Sequence, residues 1–475
     1  MISLKTLIET ANFADKPWLM LGAGQTLDER GNFDFQKFNL ISLNDAVKTA
    51  KVEIAYVKDT DVLERCERAL MDNCNWVVMP SHQYENGKLA KDSLLAKRLD
   101  HPVLVELERR NKLVVHEFQP LESVDARYRA YSNIVLAPEY FTSEAALTLL
   151  AELHAQSVYS LGVDGGKKYA REFQNLQAAR FGRPPFDHQL DRLLQVSTKF
   201  GLVYRPLIEP MRVFIGSQYE QAIATKVLRY TIHKHASAPV VVQEMDGLPI
   251  PVPKDEANRQ RTGFSFSRFE IPKLTGYRGR ALYVDADMQV FADIAELWRI
   301  PFGHQKVLCT SQERPPVWKD NSWFQPGRQF SVMLLDCDRL RHWDMHQFVK
   351  ELDAGKYTYA NLLFDCCAVK PGEIEDRIPQ QWNALEHYEE GETKLLHYTV
   401  VPTQPWRAWN PLEHVWFKDF KQSIEDGWLT YADVEPLVTA GEARPIMLTY
   451  FPEQVQQAAA EPVAGRVKQL QLAAT

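Results

Sequence analysis

The sequence predicts an α/β chain of two Rossmann-like domains. Short apolar runs alternate with amphipathic stretches from residue 18 onward. Pro206 and Pro210 break the chain, and a second strand-helix series starts just after them. A third apolar run, at 280–288, ends in two aspartates, at the place where open α/β sheets bind ligands.

In the first domain, 1–210, apolar runs at 18–21, 40–43, 53–57, 76–79, 113–115, 134–136 and 158–163 read as strands. Helical spacing falls between several of them, as at 62–71 and 143–154. Ser143 reads as the N-cap of the latter, with Ala146, Leu149, Leu150 and Leu153 on one face. Gly22-Ala23-Gly24 directly follows the first full strand. Two glycines there let backbone approach a ligand, and a following helix could offer N–H groups to phosphate. A tight strand-to-helix turn accounts for them equally well, and the pattern falls short of a nicotinamide fingerprint. Residues 181–186, with Gly182, Pro184 and Pro185, read as a loop. His188 beyond it is a lone histidine of the kind that is more often structural.

The second domain, 211–453, opens with a strand at 211–216, then Ala224, Val227, Leu228 and Thr231 at helical spacing. Strands follow at 240–242, 306–309 and 331–335, and 245–268 reads as a loop over the site. A Gln- and Ala-rich tail, 454–475, reads as loosely held. The run Arg280-Ala281-Leu282-Tyr283-Val284 reads as a buried parallel strand ending at Asp285 and Asp287. Side chains at i and i+2 leave a strand on one side. Two close carboxylates repel unless a cation sits between them, and oxygen ligands suit Mg²⁺ or Mn²⁺ bridging to phosphate. Taken alone, the pair reads better as helix-capping or solvated loop carboxylates. Tyr219, at the start of the helix, could stack on a base or simply pack.

Bulk composition narrows the classes. Of 475 residues, 45% are hydrophobic and 25% charged, which are globular values. A net charge of −7 leaves no footprint for nucleic acid. The six cysteines form no C-x-x-C, so a reduced, cytoplasmic chain without zinc is expected. No run approaches the ~18 apolar residues of a membrane span, so attachment is at most peripheral to a membrane.

"LGAGQTL", "LISLNDA" and "SVYSLGVDGGKKYA" resemble bacterial sialyltransferase-like proteins and the motility accessory factors. The resemblance implies a second nucleotide site at Gly22, Gly24, Asn44, Asp164 and Gly165, with Thr26 in place of the usual Ser.

"FIGSQYEQAIATKVLRYTI", "FSFSRFEIPKLTGYRGRALYVDADM", "FSVMLLD", "IPQQWNAL" and "LLHYTVVPTQPW" follow one another in order. They are similar to the retaining glycosyltransferase family of glycogenin and the lipopolysaccharide galactosyltransferases. The resemblance implies a GT-A fold, a nucleotide-sugar donor, mostly UDP-linked, and a glycan or lipid-linked saccharide acceptor. It implies Mn²⁺ or Mg²⁺ on Asp285, Asp287 and His397, and a donor-contacting Arg268 in the catalytic role. It further implies donor contacts from Ile215, Gly216, Tyr219, Ala286, Gln404 and Trp406. An apolar face beside an amide makes Trp382 and Asn383 the candidate acceptor wall, though Trp382 could equally be core. Gln404 stands where the family carries a Lys toward the diphosphate, the family's Gly is missing, and Gln218 stands near its usual first-turn Asp. Positive charge would then come from Arg268 or Arg407; the family's Asp-Gln element by the reacting carbon has no clear counterpart here, Asp365 being a guess at it. Two rivals remain: a degenerate transferase that binds glycan or scaffolds an assembly, and nucleotidyl or pyrophosphoryl transfer by residues 1–210.

Overall fold

A computed structural model of the chain describes residues 2–85, 88–93, 101–116, 136, 141–165, 168–180, 189–312 and 326–455. Most of the strand expected at 134–136, the loop at 181–186, His188 and most of the tail lie outside the described residues. The chain forms two units: Met1–Pro210 with Ala238–Val241, and Met211–Ser237 with Val242–Thr475.

The first unit is built on eight strands: β1 (Ile2–Ser3), β2 (Trp18–Leu21), β3 (Asn39–Leu43), β4 (Val52–Tyr56), β5 (Cys74–Pro80), β8 (Leu113–His116), β9 (Ser157–Leu161) and β10 (Val203–Pro206). A separate hairpin pairs β6 (His82–Glu85) with β7 (Lys88–Ser93). The sheet order is β1-β8-β5-β4-β3-β2-β9-β10, and every pairing is parallel. Alternation along each strand separates two cores. Leu19, Leu21, Ala55, Val77 and Met79 face one side, with Leu63 and Leu70 of helix Asp61–Asp72. Trp18, Met20, Ile41, Ile54, Val78 and Val114 face the other, with Leu149 and Leu150 of helix Thr142–Glu152. That is a doubly wound arrangement.

Two local expectations are corrected. The helix at 142–152 starts one residue early, with Phe141 as N-cap. Ser143 lies fully buried in its first turn, and its hydroxyl accepts from Gln189 Nε2 at 3.1 Å, so it is committed to packing between helices rather than to capping. The segment after Gly24 is a 3₁₀ helix, Gln25–Asn32, not an α-helix.

The strand order reverses between β2 and β9, and both strands leave the sheet through a glycine. Gly22 N donates to Leu161 O at 2.8 Å and Gly24 N to Gly162 O at 2.8 Å. A Cβ on Gly22 would stand 2.2 Å from Gly162 O, and one on Gly24 2.5 Å from Asp164 Oδ2. Contact between the two turns is therefore what demands glycine there.

The second unit has a mixed six-stranded sheet, β12-β11-β13-β16-β15-β17, with β11 (Met211–Gly216), β12 (Val240–Glu244), β13 (Arg280–Asp285), β15 (Val307–Gln312), β16 (Gly327–Asp336) and β17 (Ile374–Ile378). β13 runs parallel to β11 but antiparallel to β16. An apolar run is buried whichever way its neighbour points, so its composition carries no direction. A small sheet, β14 (Met288–Val290), β19 (Leu395–His397) and β18 (Ala384–Leu385), lies at the end of β13. The loop at 245–268 holds two short 3₁₀ turns, Glu256–Asn258 and the start of Ser267–Glu270. All six cysteines are free. Among the described residues no helix is long and apolar enough to cross a membrane.

Gly22→Ala should lower the urea stability of the first unit by about 1–3 kcal/mol through overpacking. Gly31→Ala, whose Cβ meets nothing within 4 Å, should stay within about 0.5 kcal/mol of wild type.

Candidate functional site

β13 delivers the acids. Its register sets Asp285 opposite Gly216 of β11, and Ala286 N donates to Gly216 O at 3.0 Å, which fixes the strand tip. The chain then turns into β14, which pairs antiparallel with β19 so that Met288 faces His397. Tyr398 N donates to Asp287 O at 2.9 Å. These backbone bonds carry a histidine far along the chain to the acidic pair. One donor atom from each of Asp285, Asp287 and His397 lies within 4.8 Å of the others. His397 Nε2 stands 3.1 Å from Asp287 Oδ1.

Arg268 rises from the 3₁₀ turn Ser267–Glu270. Its Nη1 donates to Phe330 O at 2.7 Å, its Nη2 lies 3.4 Å from Asp285 Oδ1, and its guanidinium sits over the Tyr283 ring at 4.5 Å. Among the described residues its Nε has no hydrogen-bond partner. Tyr283 donates its hydroxyl to Asp285 Oδ1 at 2.5 Å. That contact was readable in principle: Tyr283 precedes Asp285 by two in a strand and so shares its face.

Burial raises the Asp285 carboxyl above the ordinary range; Arg268 pulls it back, and Asp287 adds to the rise. Burial pulls the His397 imidazole down, but Asp287 and then Asp285 outweigh it and hold it above its usual value. Asp287 Oδ1 is buried and faces His397 Nε2. Two carboxylates and an imidazole nitrogen within reach of one another are a donor set that suits a divalent cation.

Other expected positions resolve differently. Ile215 and Ala286 are buried backbone neighbours of the strand tip. Tyr219 is 51% exposed in the turn Tyr219–Gln221, a ring open to solvent. Gln404 is buried; its Nε2 donates to Asp287 Oδ2 at 2.9 Å and Tyr398 O at 2.8 Å, so it braces the carboxylate instead of reaching outward as a Lys would. Trp406 is fully buried in an aromatic core with Tyr398 and Trp416, away from any open face. Trp382 and Asn383 do not form a wall: both are buried, and Asn383 Oδ1 lies 2.9 Å from His397 Nδ1. Arg407 is spent on Glu220 O and Glu442, each at 3.1 Å, and exposed Asp365 accepts from Asn361. Gln218 Oε1 accepts from Gly263 N at 2.6 Å, pinning the loop.

In the first unit Gly22, Gly24 and Asp164 do come together. Thr26 N donates to Asp164 Oδ2 at 2.8 Å, and the Thr26 hydroxyl bonds the other oxygen. Burial pushes the Asp164 carboxyl up to about 6 against those bonds. Asn44, at φ 47°, accepts from Lys58 N at 3.0 Å, and Gly165 N donates to Gln189 Oε1 at 3.2 Å. Each of these groups already has a partner within the unit.

Two aspartates at a strand tip are thus met by a histidine from a small companion sheet. Residues 220–362 match the model of Glycosyl transferase family 8, so the second unit carries a domain of that family. The match lies inside that unit apart from Ala238–Val241. "Protein CDI" of Arabidopsis thaliana is 25% identical over 234 residues, which cover 45% of this chain and 87% of that protein. "Galactinol synthase 1" of Solanum lycopersicum is 25% identical over 216 residues, 41% of this chain and 65% of that protein. "Galactinol synthase 10" of Arabidopsis thaliana is 21% identical, so the match spans less than two thirds of either synthase, 63% here. Among solved structures, the galactosyltransferase LgtC with donor and acceptor sugar analogs superposes with a TM-score of 0.33 at 13% identity, covering 44% of this chain and 95% of that one.

A Cβ on Gly216 would lie 2.3 Å from the Tyr283 hydroxyl and 2.7 Å from Phe264 Cδ2. Gly216→Ala should therefore cost about 1–3 kcal/mol in urea denaturation. Adding Tyr283→Phe should recover part of that loss, a non-additivity that a double-mutant cycle reads directly.

Proposed function

We propose that the second unit transfers a hexose from a UDP-sugar to a glycan or lipid-linked acceptor, with retention at the anomeric carbon, using Mn²⁺ or Mg²⁺. The convergence of Asp285, Asp287 and His397 carries this reading. In the reaction the bond from the sugar's C1 to the diphosphate breaks, and a bond from C1 to the acceptor oxygen forms. UDP departs and the acceptor hydroxyl releases its proton. A divalent ion at the three side chains would supply Lewis-acid neutralisation of the leaving diphosphate.

The protein's own groups do the rest. Asp285 and Asp287 present acceptor oxygens at a strand tip that backbone pairing holds fixed. His397 offers a ring nitrogen from the neighbouring strand. Arg268 supplies a permanent positive charge, preorganised by Phe330 O and the Tyr283 ring. Tyr219 offers an exposed ring for the base. The glycines of the first unit are accounted for by packing of its own turns, so the transferase reading rests on the second unit alone.

A glycan-binding or scaffold role without turnover is the second reading. The observation behind it is Gln404, which stands in the family's Lys position yet is tied to Asp287 and Tyr398 and brings no charge.

UDP release from candidate UDP-sugars should require Mn²⁺ or Mg²⁺ and fall by at least about 100-fold in Asp285→Asn or Asp287→Asn. Arg268→Lys should lower kcat by roughly 10²–10³, the scale of one lost preorganised donor. Absence of metal-dependent turnover with every donor, with glycan binding intact, would favour the scaffold. Mn²⁺ at 100 times its Kd should stabilise the second unit by about 2.7 kcal/mol in thermal unfolding. Asp287→Asn should erase that gain.

A further inference from the structure

A histidine can serve a cation only through a nitrogen that carries no proton. His397 faces the acids with Nε2, so Nδ1 must hold the ring proton. The surroundings decide which nitrogen that is, through a directional chain of hydrogen bonds.

The chain starts on the paired strands β15 and β16, where Thr310 stands opposite Gln329. The Thr310 hydroxyl donates to Gln329 O across 3.5 Å. Its proton is thereby used, and its oxygen is left as an acceptor. Asn383 Nδ2 donates to that oxygen at 3.2 Å and to Ser331 Oγ at 3.1 Å. The amide is thus oriented with its nitrogen toward the hydroxyls and Oδ1 toward the histidine. Oδ1 is an acceptor only, so at 2.9 Å it takes the proton of His397 Nδ1. Gln312 Nε2 anchors the Asn383 carbonyl at 2.6 Å. Thr310 and Asn383 are fully buried and His397 nearly so, which shields the relay from bulk solvent.

We propose that Thr310 and Asn383 are positioning residues whose hydrogen-bond relay locks His397 in the Nδ1–H tautomer, leaving a bare Nε2 toward Asp285 and Asp287. This deepens the metal-dependent reading above and rests on it for its use, though not for its existence. The relay has a consequence for the site. In the opposite tautomer Nε2–H would bond to Asp287 Oδ1, 3.1 Å away, and close the pocket on itself. In the relay's tautomer two lone pairs oppose each other at that distance, and only a cation or a proton relieves them.

The test uses the full chain, ¹⁵N-labelled at histidine, metal-free and at alkaline pH. Two-bond ¹H–¹⁵N correlations distinguish the tautomers, and the His397 signal is assigned by its loss in His397→Asn. The wild type should show Nδ1–H; an Nε2–H pattern overturns the relay. In Asn383→Leu, His397 should change to Nε2–H and Mn²⁺ affinity by calorimetry should fall roughly 10- to 100-fold. Asn383→Asp, which still accepts from Nδ1–H, should recover most of the affinity. If Asn383→Leu does not fold, Thr310→Val, which removes only the hydroxyl, should show a partial loss of affinity and a mixed tautomer. Unchanged tautomer and affinity in these variants overturn the relay. A wild type that keeps Nδ1–H but binds no Mn²⁺ instead sinks the metal-dependent reading and leaves the tautomer assignment standing.

Discussion

Two carboxylates one residue apart at the end of a buried strand repel each other, and the rest of the second unit is arranged around that repulsion. Arg268 and the Tyr283 hydroxyl lean on Asp285. Gln404 holds the outer oxygen of Asp287, and the backbone of β14 and β19 brings His397 against its inner oxygen. Arg268 pairs with Asp285, and His397 Nε2 stands 3.1 Å from Asp287 Oδ1, so the tip is a cradle of two acids, each with one basic neighbour.

Behind the cradle, buried polar groups continue the same logic. Gln289, on β14, donates to Asp419 and Val415 O and accepts from the Tyr398 hydroxyl at 2.8 Å. Asp419 in turn pairs with Lys234 at 2.7 Å. This network ties helix Glu413–Glu425 and helix Ala222–His235 to the strands that carry Asp287 and His397. Fully satisfied buried polar networks hold one arrangement against others, because any slip leaves a group unpaired. Precision at the strand tip is thereby supplied from some distance.

The α/β class and the GT-A character of the second unit are legible in the sequence. Apolar strand runs declare themselves by burial, and the ordered blocks around Asp285 and His397 are specific. Direction is not legible: β13 has a parallel neighbour on one side and an antiparallel one on the other. Nor is the job of a polar residue near a site. Asn383 and Gln404 look like groups that would touch a sugar or a phosphate. Burial instead turns both inward, onto His397 and Asp287. An amide is equally able to meet a ligand or to brace a side chain, and only its neighbours decide. Trp406 illustrates the same limit for aromatics: a tryptophan beside a site is also a good core residue, and here the core takes it. The glycines of the first unit stand on the same footing, explained by close approach of Gly22 to Gly162.

The strand carrying His397 pairs with a segment made much earlier, since β14 and β19 are partners. During vectorial synthesis the aspartates therefore leave the ribosome long before their histidine, and Thr310 precedes Asn383 in the same way. A nascent chain halted before β19 has an acidic tip and no imidazole. The three side chains therefore come together only once β19 has paired with β14.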